Sequence, residues 1–261
     1  MKLFISDLDG TLYPKTNKEI QLERNVQAVK KWIEQGNKFA VATARGIHHY
    51  SYLHHILGFD VNFIGCNGAA TKLENGEEII KSMPCQIFID LCKFVLENNI
   101  NASVATGYKD EWVWSSKDRY PIGMNIFKPG VEESIQTIDF NEMNPNVGLD
   151  RIQIFVPENE LIELRTKIEA MNLPAIITTS DTNLIDIGPL NSSKGISIHE
   201  LCNRYDIDMN DIISIGDSEN DVPMFKVSNT SYCIEYASDE VKSHATYVVS
   251  SVEEAIEREL W

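Results

Sequence analysis

Apolar residues along this chain follow two rhythms, and the switch from one to the other and back marks off three stretches. Leu3-Phe4-Ile5 is a short continuous apolar run that ends in Asp7-Leu8-Asp9-Gly10-Thr11, which predicts a buried strand opening into a polar turn. Leu22, Val26, Val29 and Ile33 recur at helical spacing and the segment closes on Gly36, predicting an amphipathic helix with a glycine stop over residues 20–35. The next strand is predicted at 38–42, ending in Thr43-Ala44-Arg45-Gly46, then a helix over 46–57 and a third strand at 61–66, ending in Asn67-Gly68-Ala69. Three strand–turn–helix units in succession predict a parallel sheet flanked by helices, an α/β class.

Past residue 82 the pattern changes. A helix over 84–98 precedes alternating stretches at 102–106 and 111–115, which read as antiparallel strands. Residues 117–148 are rich in Pro, Asn and Gly; a strand (151–156), a helix (158–171) and two short strands (175–179, 183–187) follow. This middle section predicts an α+β insertion. From Ser193 the first rhythm returns, with a helix to Tyr205, a strand at 211–215 ending in Gly216-Asp217, a helix after Asn220, and strands near Tyr232 and Tyr247. The expected division is a core of 1–82 and 188–261 with an inserted domain over 83–187.

Composition narrows the function classes. The 261 residues are 43% hydrophobic and 24% charged, as in an ordinary globular protein of one or two domains. With 39 Asp+Glu against 23 Lys+Arg the formal charge is −16, which argues against nucleic acid and anionic membranes as general partners. No run approaches the roughly 18 apolar residues of a membrane span, and the N-terminal residues form no apolar signal segment, so a cytoplasmic protein is expected. The five cysteines (Cys66, Cys85, Cys92, Cys202, Cys233) are odd in number and far apart, which predicts reduced, buried, structural thiols.

The informative polar residues sit at strand ends and one helix start: Asp7/Asp9, Thr43, Lys194, and Asp217/Asn220/Asp221. In a doubly wound sheet those ends gather along one crevice. In continuous strand geometry Asp7 and Asp9 project to the same side, and Gly10 lets the chain turn directly after them. If Asp217 and Asp221 join them, each pair of charges near 4 Å costs about 4 kcal/mol at an effective dielectric near 20, so the cluster calls for a cation. Oxygen-only ligands select Mg²⁺ over zinc or copper. A hard cation, a carboxylate free to attack, the Thr43 hydroxyl and Lys194 at a helix N-terminus together suit a phosphoryl group. Taken singly, each piece also reads as a solvated turn, a helix cap or a loop.

Taken in order, Asp7-Leu8-Asp9-Gly10-Thr11-Leu12, Thr43, Lys194 and Gly216-Asp217-Ser218-Glu219-Asn220-Asp221 resemble the four motifs of the haloacid dehalogenase (HAD) superfamily. With the insertion between the second and third motifs, and Ile64-Gly65-Cys66-Asn67-Gly68-Ala69 ahead of it, the chain is similar to the Cof-type (subfamily IIB) sugar phosphatases. The likeness spans essentially the whole chain. It implies a Rossmann-like parallel-sheet core with an inserted α+β cap that sets substrate specificity. It implies Asp7 as the nucleophile, Asp9 as the acid/base, and Thr43, Lys194 and Asn220 on the phosphate. Mg²⁺ would be held by Asp7, the backbone carbonyl of Asp9 and Asp217, with Asp221 and Asn220 supporting metal and loop. Gly10, Arg45 and Asn67 are candidate substrate contacts. One departure is Ala44, where the family more often has glycine.

The expectation is therefore a Mg²⁺-dependent phosphatase of small phosphorylated metabolites, sugar phosphates foremost, with no obligate protein partner and a monomer as default. A phosphomutase is the alternative among enzymes. A binding or regulatory protein on a dead scaffold is the alternative outside them, and the presence of both Asp7 and Asp9 weighs against it. Two further features stay open. His48-His49 and His54-His55 follow Thr43, where His49 with His54, or His48 with Tyr52, would share a helix face. Trp112 and Trp114 alternate with Val113, which suits packing onto the insertion's own helices ahead of stacking on a sugar.

Overall fold

The structure, a computed structural model, describes residues 1–108, 111–114, 135–137 and 139–260, with the backbone alone described for 108, 111–114 and 135–137. In chain order its elements are β1 (Leu3–Ser6), α1 (Lys18–Glu34), β2 (Lys38–Ala42), α2 (Tyr50–Leu57), β3 (Asn62–Gly65), β4 (Ala70–Lys72) and β5 (Glu78–Ile80). Next come β6 (Met83–Pro84), α3 (Gln86–Glu97), β7 (Ser103–Tyr108), β8 (Glu111–Trp114), β9 (Ile135–Thr137), β10 (Gly148–Leu149), β11 (Ile152–Phe155), α4 (Leu161–Glu169), β12 (Ala175–Asp181) and β13 (Leu184–Pro189). The chain closes with α5 (Lys194–Tyr205), β14 (Ile212–Gly216), α6 (Val222–Val227), β15 (Thr230–Ile234), α7 (Asp239–Lys242), β16 (Tyr247–Val249) and α8 (Val252–Glu259). Two compact units result, Met1–Ile80 with Asn191–Trp261, and Lys81–Leu190.

The first unit is built on an eight-stranded sheet in the order β16-β15-β14-β1-β2-β3-β4-β5. It is parallel from β16 to β3 and antiparallel beyond. Because successive side chains in a strand face opposite ways, the apolar run of β1 feeds two layers. Phe4 packs with Ala28, Val29 and Trp32 of α1 and Val252, Ala255 and Ile256 of α8. Leu3 and Ile5 pack with Ile198 and Leu201 of α5 and Met224 and Phe225 of α6. A strand covered on both faces has no use for polar alternation, which is why Leu3-Phe4-Ile5 is unbroken.

The chain runs from β1 to β2 and β3 in one direction across the sheet and resumes at β14, on the other side of β1. The strand order therefore reverses between β1 and β14, the place where open α/β sheets hold ligands beyond their C-terminal strand ends.

The second unit carries a six-stranded sheet, β12-β13-β11-β7-β8-β9, antiparallel except for the β8–β9 pair. Val104, Ile152, Ile154, Ile185 and Ile187 of this sheet share one core with Phe88, Leu91, Cys92 and Val95 of α3 and Leu164 and Ile168 of α4. The side chains of Trp112 and Trp114, and most of the Pro/Asn/Gly-rich stretch, lie outside the described residues.

Several elements depart from the sequence expectation. The helix expected over 46–57 opens as a 3₁₀ turn at Ile47–His49 before α2 begins, and that expected over 158–171 opens likewise at Glu158–Glu160. The most buried stripe of α1 is Asn25, Ala28, Val29 and Trp32, with Leu22, Val26 and Ile33 half-buried at its flank. Strands β4 and β5 and helix α8 were not anticipated. The hairpin strands are three residues each and too short to alternate visibly, although Asn75-Gly76 between them is a turn signal, with Gly76 at φ 87°. Helix α8 carries its start signal in Ser251, whose hydroxyl accepts from the Glu254 N–H at 3.1 Å. Among the described residues no helix is long and apolar enough to cross a membrane, and all five cysteines are buried and free.

Trp32 is fully buried, meets the Phe4 ring edge-on at 5.7 Å and donates its indole N–H to the Lys38 carbonyl at 2.8 Å. Trp32→Ala is expected to lower stability by about 3–5 kcal/mol, read as a shift in the urea midpoint of the first unit.

Candidate active site

Adjacent strands β1 and β14 end level with each other, with Ser6 opposite Ile215, so the residues just beyond them, Asp7 and Asp217, become neighbours. The Asp7 N–H still donates to the Ile215 carbonyl at 2.9 Å, continuing the ladder by one bond. The chain then folds back at once. The N–H of Leu12 reaches the Asp7 carbonyl at 3.1 Å and that of Gly10 the Tyr13 carbonyl at 2.7 Å. Gly10 has φ 91°, and a Cβ there would lie 2.5 Å from the Tyr236 hydroxyl and 2.7 Å from Asp217 Oδ2, so only glycine fits the turn.

This turn corrects the expected pairing of Asp7 with Asp9. The strand stops at Ser6, so the two carboxylates do not share a strand face. Asp7 is buried, whereas the Asp9 side chain is about half exposed, at 48%, and is gripped by Arg45. The guanidinium Nε and Nη2 each donate to one Asp9 oxygen at 2.6 Å, a bidentate pairing that fixes the carboxylate's orientation. Arg45 also touches the His49 ring.

The third carboxylate arrives from the loop after β14. Asp221 is fully buried; its Oδ2 accepts from the backbone N–H groups of Asp217 at 2.8 Å and Ser218 at 3.0 Å. It packs so closely over Gly216 that a Cβ there would lie 2.4 Å from the Asp221 carboxyl carbon. Asp7, Asp217 and Asp221 each offer an oxygen, and these oxygens lie within 4.8 Å of one another.

Lys194, the first residue of α5, puts its ammonium among them, 2.6 Å from Asp7 Oδ1 and 2.6 Å from Asp221 Oδ1. The helix start is held by Ser193, whose hydroxyl accepts from the Ile196 N–H at 3.1 Å. Gly68 lies directly against it, where a Cβ would sit 2.2 Å from the Ser193 carbonyl oxygen. The remaining strand ends are stitched together by hydrogen bonds. Thr43 N–H donates to the Ile64 carbonyl at 2.8 Å, Asn67 N–H to the Thr43 carbonyl at 3.0 Å, and Asn220 Nδ2 to Asn67 Oδ1 at 3.0 Å. The Thr43 hydroxyl accepts from the Arg45 N–H at 3.1 Å. Asn220 Oδ1 is buried with no hydrogen-bond partner among the described residues.

Electrostatics in this cluster are crowded. Burial pushes the Asp7 carboxyl well above the usual carboxylate range; Lys194 pulls it back, while Asp221 and Asp217 add to the rise. Asp217 is raised as well, by burial and then by Asp221, against Lys15 and the Thr11 hydroxyl. Burial opposes the Lys194 ammonium, but Asp221 and Asp7 outweigh it and hold the group cationic above the ordinary lysine range. A further cation among these oxygens would relieve the crowding. Asp7 Oδ2 has no hydrogen-bond partner among the described residues, and the donor set is oxygen only, so the cluster fits a hard divalent ion.

Three residues take up positions at the cluster that the sequence does not signal, although Thr11 lies within the first motif. Thr11 donates its hydroxyl to Asp217 Oδ1 at 3.0 Å, and Lys15 donates to Asp217 Oδ2 at 3.1 Å. Tyr236 donates its hydroxyl to the Gly10 carbonyl. Two of the histidines have identified neighbours. His49 meets Tyr52 edge-on at 6.5 Å beside Arg45, and His54 lies 3.0 Å from Asp60; the 3₁₀ turn ahead of α2 shifts His48 and His49 off the helical repeat.

The profile of haloacid dehalogenase-like hydrolases matches residues 4–259. The chain belongs to that family. It is 27% identical over 282 residues to the 5-amino-6-(5-phospho-D-ribitylamino)uracil phosphatase YwtE of Bacillus subtilis, covering 97% of this chain and 94% of that protein. It is 24% identical over 254 residues to a phosphoglycolate phosphatase of Nitrosopumilus maritimus, covering 96% and 90%. Its fold matches that of BT4131, a HAD subclass IIB sugar phosphatase, with a TM-score of 0.81 at 21% identity over 99% of both chains. Membership accounts for the fold, an α/β sheet core interrupted by an α+β unit.

Removing Asp221 would leave two buried N–H groups and one contact of the Lys194 ammonium unmet. Asp221→Ala is expected to lose about 3–5 kcal/mol of stability, measured by urea denaturation without added metal.

Proposed function

We propose that the chain is a Mg²⁺-dependent phosphatase of small phosphorylated metabolites, sugar phosphates foremost, acting through a phospho-aspartate on Asp7. The observation that carries this reading is a buried carboxylate, Asp7, held at the end of β1 by Lys194 through Oδ1, with Oδ2 free of hydrogen-bond partners among the described residues. Its setting among Asp217 and Asp221 favours a bound divalent ion. The relatives support the substrate class, since the compounds that their names give as substrates are phosphorylated small molecules.

In this mechanism Asp7 Oδ2 forms a bond to phosphorus as the ester P–O bond breaks, and Asp9 gives its proton to the departing alcohol. Asp9 then takes a proton from water as that water attacks the phospho-aspartate, releasing inorganic phosphate and restoring the Asp7 carboxylate. The Arg45 clamp aims the Asp9 carboxylate. Lys194 and Thr43 hold phosphate oxygens, and Asn220 contributes its amide to the phosphate side of the site. Asp7, Asp217 and the Asp9 backbone carbonyl would hold Mg²⁺, with Asp221 fixing the loop. When bound, the ion offsets the negative charge of the phosphoryl oxygens. Gly10 and Asn67 bound the space near the substrate. The second unit, Lys81–Leu190, is assigned the choice of organic group.

The test is inorganic phosphate release from sugar phosphates, nucleotides and an aryl phosphate, with Mg²⁺ or EDTA. Release is expected to depend on Mg²⁺ and to fall by at least about 10³-fold in Asp7→Asn. Activity retained in that variant would overturn the assignment of Asp7, and conversion of one sugar phosphate into another without phosphate release would replace hydrolase by mutase. For Asp9→Asn with an aryl phosphate, whose leaving group needs no proton, a burst of one equivalent of phenol followed by slow turnover is expected by stopped-flow absorbance. A steady rate equal to wild type would remove Asp9 from the acid/base role.

A further inference from the structure

Two lysines face the three carboxylates, and they are held in opposite ways. The Lys194 side chain is fully buried between Asp7 and Asp221. Lys15 reaches Asp217 Oδ2 at 3.1 Å from the other side, with its side chain 60% exposed. It lies on the loop between the Gly10 turn and α1, and its ammonium rests over the Tyr236 ring, 4.5 Å from the centroid. The hydroxyl of the same Tyr236 donates to the Gly10 carbonyl, so the ring that supports Lys15 is tied to the loop that carries it. Asp217 is itself almost fully enclosed, its Oδ1 taken by the Thr11 hydroxyl.

We propose that Lys15 is a tethered counter-cation that competes with the divalent ion for Asp217 and thereby sets the metal affinity of the site. This rests on the metal reading above. An ammonium on Asp217 Oδ2 and a divalent ion on the same carboxylate repel each other across a few ångströms in a partly enclosed setting. Lys194 cannot yield, because leaving would strand its charge in the interior. Lys15 can, because its long stem already lies in solvent and its head has water to enter. Without metal it offsets the charge of the carboxylate that Lys194 does not touch. With metal it withdraws from Asp217 while Tyr236 keeps it near the rim of the site. The exchange makes metal entry a replacement of one cation by another, with a weaker net affinity than the three carboxylates alone would give.

The test counts free Mn²⁺ by electron paramagnetic resonance during titration of the full-length protein without substrate, with Mg²⁺ as competitor and Asp217→Asn identifying the site. Loss of an ion pair that is exposed on its Lys15 side predicts that Lys15→Gln binds Mn²⁺ about two- to fivefold tighter than wild type, while Lys15→Arg stays near wild type. The rise in melting temperature on adding Mg²⁺ is expected to be larger for Lys15→Gln. An unchanged or weaker Mn²⁺ affinity in Lys15→Gln overturns the inference and leaves the metal reading standing. Absence of any Asp217-dependent binding in wild type and variant alike overturns the metal reading itself, and the competition with it.

Discussion

Everything at the site is arranged around one ammonium in the interior. Lys194 meets Asp7 on one side and Asp221 on the other, and neither carboxylate could stay buried and ionised without it. Asp221 in turn accepts from the two N–H groups that follow β14 and so fixes where Asp217 points. The helix that carries Lys194 must begin in the right place, which Ser193 ensures, and the 66–68 loop must pass close against it, which Gly68 permits. A single buried charge thus imposes demands on β1, β14, α5 and the loop after β3. Buried ion pairs contribute little net stability compared with apolar packing, so the arrangement is better understood as a device that holds a buried carboxylate, Asp7, in one orientation.

The main lines of this were legible in the sequence because they depend on local order. An unbroken apolar run followed by Asp-Leu-Asp-Gly-Thr announces a buried strand and a turn whatever follows. Gly216-Asp217 after Ile212-Ile213-Ser214-Ile215 does the same. Hydrogen bonding between loops was not legible. Thr11 and Lys15 act on Asp217 across about two hundred residues, and Tyr236 reaches Gly10 across more. No spacing rule connects such positions, since their meeting is decided by strand order. The separation of Asp9 from Asp7 has a different cause: the strand ends at Ser6, ahead of both carboxylates, and the chain turns before the second could line up with the first.

Short elements form the other blind spot. The β4–β5 hairpin adds two strands to the sheet with three residues apiece, too few to display a period. Helix α8 has a strong start signal in Ser251, and its docking against α1 is reinforced by Asn25, which accepts from the Glu253 N–H at 3.0 Å and donates to the Leu12 carbonyl at 3.1 Å. A polar residue in the middle of an amphipathic stripe thereby joins two helices to the loop beneath the site, which apolar periodicity alone does not register.

The position of β1 also bears on how the chain acquires its shape. Leu3 pairs with Lys38 on one side and with Ile212 on the other, so one edge of the innermost strand waits for a partner encoded after the entire Lys81–Leu190 unit. During synthesis that edge is an open template of unpaired N–H and C=O groups. The intervening unit is contiguous in sequence and can close its own contacts first, whereas the sheet that surrounds it in sequence cannot close until residues 212–216 have emerged from the ribosome. Such long-range parallel pairing folds slowly, and the order of translation leaves Asp7, encoded among the first residues, without Lys194, Asp217 and Asp221 until the whole Lys81–Leu190 unit has been made.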